Sequence, residues 1–218
     1  MNPTEPYPYL DMKFQDIALH ANSLSAIRGE KTLFENVTFD MSTPELIWVV
    51  GPNGIGKTTL LRICAGLSRP DTGQMSWKRG TAPVSATECV SFQPPQGYAK
   101  RGLTLAEDFV FWSQLNQGGE SLDPALKALG LDAHKNTLTQ NLSTGQKRRL
   151  SLARLLADQR PIWILDEPMA GLDIDGRAQV IQIIQGHIAR GGLAVIASHD
   201  PVPIPNIAAR RLSLEITK

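Results

Sequence analysis

The sequence predicts an α/β fold with a mainly parallel sheet flanked by helices, an antiparallel β flank and a helical subdomain. Three observations carry this. The runs Glu45–Val50, Ile162–Glu167 and Leu193–Ser198 are nearly continuous apolar segments, the signature of strands buried on both faces. The first two lead into stretches of helical character, the alternation that a parallel sheet requires. Between them, residues from about 97 to 158 carry helical rather than strand periodicity. At 218 residues the chain is long enough for one such domain with a small subdomain, and too short for two full domains. A single domain over residues 12–218 is therefore expected, behind a flexible lead-in at 1–11 that holds Pro3, Pro6 and Pro8 with Tyr7 and Tyr9.

Taken in order, Phe14–Ala21 and Thr32–Met41 read as the two strands of the antiparallel flank, the second alternating Leu33, Val37, Phe39 and Met41 around polar residues. Glu45–Val50 is a buried strand and Thr59–Leu67 a helix. Pro70-Asp71-Thr72-Gly73 forms a turn before a short strand at Gln74–Lys78. Glu88–Gln93 reads as a further buried strand, stopped by Pro94 and Pro95. Leu105, Phe109 and Trp112 recur at helical spacing, with Val110 and Leu115 broadening the stripe, and Asp123-Pro124 starts a second short helix. A longer helix runs from near Ser143 to Asp158 with Leu152, Leu155 and Leu156 inward. Pro161 opens the strand IWILDE, and Asp173–Ala189 is an amphipathic helix burying Val180, Ile183, Ile184 and Ile188, ended by Gly191-Gly192.

The totals exclude several classes. A net charge of +1, with 20% charged residues, gives no bulk electrostatic case for nucleic acid. Cys64 and Cys89 have neither metal-ligand spacing nor the density of a secreted disulfide scaffold, so a reducing compartment is expected. No apolar run approaches the roughly 18 residues that cross a bilayer, and the N-terminus lacks a basic start followed by an apolar stretch. Membrane contact is expected only through a partner.

The chemistry begins at residues 51 to 58. Gly51, Pro52, Asn53, Gly54, Ile55, Gly56, Lys57 and Thr58, with Thr59 continuing into the helix, form a glycine-rich turn between a strand and a helix N-terminus. This is the P-loop pattern, and it suits a polyphosphate. Glycines let successive N–H groups point inward, the helix end adds partial positive charge, and Lys57 can reach the β and γ phosphates. Thr58 would hold magnesium. Asp166 and Glu167 end an apolar strand, where a parallel sheet presents its ligand crevice. Asp166 would bind Mg2+, and Glu167 would polarise the water that attacks the γ phosphate.

LSTGQ, at Leu142–Gln146, stands where a basic helix begins. With the P-loop, it resembles the LSGGQ signature of the ATP-binding cassette family, Thr144 replacing the first glycine. The resemblance covers about residues 12 to 215. It implies the P-loop NTPase fold of that family's nucleotide-binding domain, ATP as ligand, and a head-to-tail dimer in which Ser143, Thr144, Gly145 and Gln146 of one copy meet ATP on the P-loop of the other. It further implies that Gln93, ending VSFQ, touches magnesium or the attacking water, with Gln96 a nearby competitor. It makes Asp173 in GLD a residue of the dimer interface, and His199 in SHD a hydrogen-bond partner of the γ phosphate. His20, His134 and His187 match nothing in the pattern and are expected to be surface or packing residues. The family commonly stacks adenine on an aromatic side chain ahead of the P-loop, but Ser25–Gly29 offers none, which leaves Arg28 to lie on the base.

Within the family, LSRPDTGQMSW, QKRRLSLARL, WILDEP and GLDIDG look most like the ATPase subunits of haem exporters in cytochrome c maturation. That implies a peripheral protein at the cytoplasmic face of the inner membrane, held by transmembrane subunits. No Cys-Pro or His pair suggests that this chain binds haem itself. The short tail after His199 leads to the expectation of a minimal cassette without a regulatory domain. Ala99–Thr104, with the Gln93–Gly97 loop, is the expected dock for a membrane partner's helix.

Overall fold

The computed structural model describes residues 14–95, 99–115, 122–157, 160–199 and 203–215, so the expected lead-in, Gln96 and Gly97 lie outside the described residues. Its contacts divide into two compact units. The first unit comprises described residues of Lys13–Phe92, Arg160–Glu167 and His187–Lys218; the second comprises those of Gln93–Gln159 and Pro168–Gly186.

The first unit holds two sheets. An antiparallel sheet has the order β2 (Lys31–Ser42), β1 (Ile17–Arg28), β4 (Thr72–Arg79), β5 (Ala82–Val84). The other has the order β6 (Val90–Gln93), β7 (Ile162–Asp166), β8 (Leu193–Ala197), β3 (Glu45–Val50), β9 (Ala209–Ser213), with β7–β8, β8–β3 and β3–β9 pairing parallel. Helix α1 (Lys57–Cys64) lies against β7, β8 and β1, and its Leu60 and Leu61 are wholly buried. They share one core with Leu19 and Met41 of the antiparallel sheet and with Ile47, Ile164 and Val195 of the parallel one. Each such side chain contributes roughly 1.5 to 3 kcal/mol on burial, so the packing fixes α1, and with it the loop at its N-terminus.

Three differences from the sequence reading have local causes. β1 runs on to Arg28, because a register shift after Ala21 and a left-handed Ser23 (φ 48°) absorb the break in alternation as a bulge. Glu88 and Cys89 belong to a short helix α2 (Ala86–Cys89), since Ser85 caps it by accepting from Thr87 N at 3.3 Å; the strand begins at Val90. β9 escaped detection because its ARRLS sequence is polar and mostly exposed, and it joins the sheet through backbone pairing with β3.

The second unit contains α3 (Leu105–Leu115), α4 (Leu122–Ala128), α5 (Thr144–Ala157) and most of α6 (Ile174–Ala189). α3 buries Leu105 and Phe109, but Val110 is 44% exposed and does not join the stripe. Asp108, fully buried, ties α3 to α5: it pairs with Arg154 and accepts from Lys100 N at 2.7 Å. Breaking such a buried pair costs about 3 to 5 kcal/mol, so α5 is held firmly against α3. No helix among the described residues is long and apolar enough to cross a membrane.

Candidate functional site

The loop after β3 reaches the N-terminus of α1 through Gly56, whose φ of 108° lies in the left-handed region. A Cβ there would stand 2.9 Å from Leu33 Cβ and 3.0 Å from Phe34 Cδ1, so the start of β2 leaves room only for glycine. α1 has no side-chain cap and no acid in its first turn, and its leading N–H groups and positive dipole end are available to an anion. Lys57 Nζ donates to the carbonyls of Gly51 (2.7 Å) and Pro52 (3.2 Å), which hold the ammonium over the loop.

Thr58, one residue on, donates from Oγ1 to Asp166 Oδ2 at 2.6 Å. Asp166 is 2% exposed, and burial pushes its carboxyl up from the usual range, while the Thr58 bond and the Lys57 charge pull it down. A small divalent cation would favour the ionised form, and a hydroxyl beside a carboxylate is the hard-oxygen pair such an ion takes. Among the described residues no group of three or more His, Cys, Asp or Glu is placed to hold a metal. The two oxygens of Thr58 and Asp166 fit Mg2+, which binds one or two protein oxygens and completes its shell with phosphate and water.

Glu167 has a left-handed backbone (φ 49°), unusual outside glycine, and its N–H donates to Ala197 O at 2.9 Å. The end of β8 thus fixes the direction in which the carboxylate leaves β7. His199 Nε2 lies 3.9 Å from Glu167 Oε1. That is too long for a direct hydrogen bond and short enough for one water to touch both groups. Lys57, Thr58, Asp166, Glu167 and His199 thus gather beyond the C-terminal ends of β3, β7 and β8. Gln93 ends β6, 1% exposed, with neither amide atom hydrogen-bonded to a described residue. A buried amide without partners is expensive, and a bound ion or water is among the few things that relieve it. Arg28 is exposed at the end of β1, paired with Lys31 in the hairpin that leads to Leu33 and Phe34.

In the second unit, Ser143 caps α5. Its Oγ accepts from Gln146 N at 3.2 Å and its N–H donates to Gln146 Oε1 at 2.8 Å, a reciprocal capping box. Thr144 is exposed and Gly145 half-buried on the first turn. Asp173 caps α6, Oδ1 accepting from Gly176 N at 2.8 Å, and meets Arg149 Nη2 at 3.4 Å.

A family model described as ABC transporter matches residues 34–170, a span that takes in the P-loop, the LSTGQ turn and the Asp166-Glu167 pair. The chain belongs to the ABC transporter family. This ABC ATPase is similar to the cytochrome c biogenesis ATP-binding export protein CcmA of Brucella abortus, 39% identical over 186 residues, 84% of this chain and 86% of that protein. The protein of the same name from Nitrobacter winogradskyi is also 39% identical, over 90% of this chain and 97% of its own length. Among solved structures, a putative ABC transporter ATP-binding protein from Pyrococcus furiosus superposes with a TM-score of 0.75 at 24% identity, covering 90% of this chain and 97% of that one. The ATP-binding cassette MJ0796, in a dimeric post-hydrolysis state bound to ADP and Pi, gives 0.72 at 23% identity, over 84% of this chain and 88% of that one. These two likenesses establish the fold.

Sequence reasoning about the ABC ATPase passed over two side chains around its signature. Arg148, 8% exposed on α5, donates to Pro95 O, two residues beyond Gln93. His134, set aside as a surface or packing residue, sits with Nε2 3.0 Å from Gln146 Nε2. Only the KRR run hinted at the first; nothing in local sequence pointed to the second.

Proposed function

We propose that two copies of this ABC ATPase close head to tail on two ATP molecules, and that hydrolysis drives a membrane complex serving haem export or haem-chaperone release in cytochrome c maturation. The cluster of Thr58, Asp166, Glu167 and His199 around the end of β7 is the observation that carries the hydrolytic half of this reading. Likeness to the CcmA export proteins over nearly their whole length supports the other half.

In this mechanism the α1 N-terminus and Lys57 hold the β and γ phosphates. Thr58, Asp166 and Gln93 would hold Mg2+, whose charge neutralises the phosphate oxygens when it is bound. Glu167 takes the proton of the attacking water, and His199 keeps that water in line by bonding the γ phosphate. Ser143, Thr144 and Gly145 of the second copy close over the same phosphate from a helix N-terminus, while Asp173 reaches across the interface. Loss of the γ phosphate removes the contacts that held the copies together and lets them open. The chain is held at the cytoplasmic face by transmembrane subunits and handles ATP alone, leaving haem to its partners.

The test is to co-express the ABC ATPase with the membrane subunits that it recruits and to compare Glu167→Gln with the unaltered chain. Turnover is expected to fall by a factor of 10² to 10⁴ while ATP and the dimer are retained, with haem absorption confined to the membrane subunits. Undiminished hydrolysis would remove Glu167 from the role of base, and recovery with nucleic acid instead of polytopic membrane proteins would overturn the transport half.

A further inference from the structure

We infer that His134 is a positioning residue for the signature turn, acting on the ATP of the opposite copy through Gln146 and Ser143. The inference rests on the proposed head-to-tail arrangement, in which Ser143 completes the partner's site.

Ser143 N–H and Oγ are both committed to Gln146, at 2.8 Å and 3.2 Å. Because a backbone N–H can only donate, the Gln146 amide must turn Oε1 toward Ser143. Its NH2 then points the other way, and there it meets His134 Nε2 at 3.0 Å. An NH2 group can only donate, so His134 must accept, with its own proton on Nδ1. One orientation of one amide therefore satisfies both ends of the chain His134–Gln146–Ser143.

The reversed amide would set NH2 against the Ser143 N–H, which can only donate, and His134 could meet it only by moving its own proton to Nε2. The reversal would break the half of the capping box made by the side chain, leaving the bond from Gln146 N–H to Ser143 Oγ to hold the turn alone. The Ser143 N–H selects the orientation, and His134, accepting in its Nδ1–H tautomer, holds the Gln146 side chain in it and so keeps the box closed. His134 is itself well anchored: its N–H donates to Leu131 O at 2.9 Å and its carbonyl accepts from Thr137 N at 2.9 Å, in a 3₁₀ turn over Asp132–His134. Gln146 is a half-buried side chain of α5's first turn, whereas Ser143 is exposed. Order is thus handed from a rigid turn to the backbone of Ser143, and preorganising that exposed cap lowers the cost of gripping a phosphate.

His134→Phe keeps the ring and removes the acceptor; His134→Gln restores an acceptor of similar reach. The measurement is made in mixed dimers of differently tagged chains, all carrying Glu167→Gln to suppress turnover, by following the ATP concentration that gives half-maximal dimer closure. When His134→Phe and Lys57→Ala share one chain, the intact P-loop faces the altered signature, and about fivefold to tenfold more ATP is expected. When they are on opposite chains, the intact P-loop faces an unaltered signature, and the requirement should match that of dimers carrying Lys57→Ala alone. His134→Gln should bring the first arrangement back to within about threefold of the unaltered pair. A role in local stability alone would affect both arrangements equally, since each contains one altered chain, and that result would overturn the inference. Ser143→Arg is tested in the same two arrangements. If it separates them and His134→Phe does not, the inference fails alone; if Ser143→Arg does not separate them either, the head-to-tail reading fails and takes the inference with it.

Discussion

Thr58 Oγ1 and Asp166 Oδ2 are 2.6 Å apart, so the residue after the P-loop lysine and the acid at the end of β7 form one unit although 108 positions separate them in the chain. Each depends on the other: the hydroxyl is the hydrogen-bond donor to a carboxylate that burial would otherwise hold toward its neutral form.

Thr58→Val preserves shape and deletes that donor. We expect a loss of about 1 to 3 kcal/mol in stability from the stranded carboxylate, and a larger loss of Mg2+-dependent turnover. Urea unfolding reads the first, and turnover titrated with Mg2+ reads the second. An unchanged Mg2+ requirement would take Thr58 out of the metal site.

The left-handed backbone at Glu167 predicts a trade between stability and function. Replacing a strained non-glycine residue by glycine relieves about 1 kcal/mol. Glu167→Gly should therefore raise the melting temperature while abolishing hydrolysis. A fall in melting temperature would show that the side chain, and not the backbone, governs stability there.

His187 is fully buried, stacked on Trp163 with ring centroids 3.9 Å apart, and Nε2 lies 3.1 Å from Leu193 O. Burial, aided by the charge of Arg190, pushes its pKa from 6.5 down to about 3. The unfolded chain therefore binds a proton below about pH 6.5 while the native chain stays neutral. Stability is complete above that pH and is lost as pH falls toward about 3, by up to about 1.4 kcal/mol per pH unit. His187→Phe keeps the stack and removes the proton. It should lose ground to the unaltered chain at pH 7.5 and regain it at pH 4.5, in urea unfolding at both values. A difference that does not change with pH would mean that His187 protonates equally in both states.

Arg28 stands exposed where an aromatic platform is usual in the family. If its guanidinium covers adenine, Arg28→Ala weakens ATP binding by about 0.5 to 2 kcal/mol, and Arg28→Trp recovers it. Calorimetric titration distinguishes this from unchanged affinity, which would exclude the contact.

The legible elements were those whose own side chains carry the signal. ELIWVV and IWILDE are nearly continuous apolar runs because they are covered on both faces, and they appear as β3 and β7 where those runs put them. The P-loop was readable because Gly56 meets a steric demand that no other residue satisfies. β9 was silent for the opposite reason: ARRLS joins the sheet through backbone atoms that every residue shares. The bulge at Ser23 and the cap at Ser85 each turn on a single residue's local geometry, which a window of hydropathy averages away.

Sequence alone determined the fold class, the family and the residue types available for phosphate chemistry, because these follow from short-range pattern and from the fixed valence of each side chain. Tertiary structure decided which of them meet. The 3.9 Å between Glu167 and His199, the Thr58–Asp166 bond and the His134–Gln146 contact all depend on how distant segments pack. That packing is cooperative: the direction of a hydroxyl or an amide is set by partners brought together only when the chain folds, and the sequence pattern around either partner does not show the other.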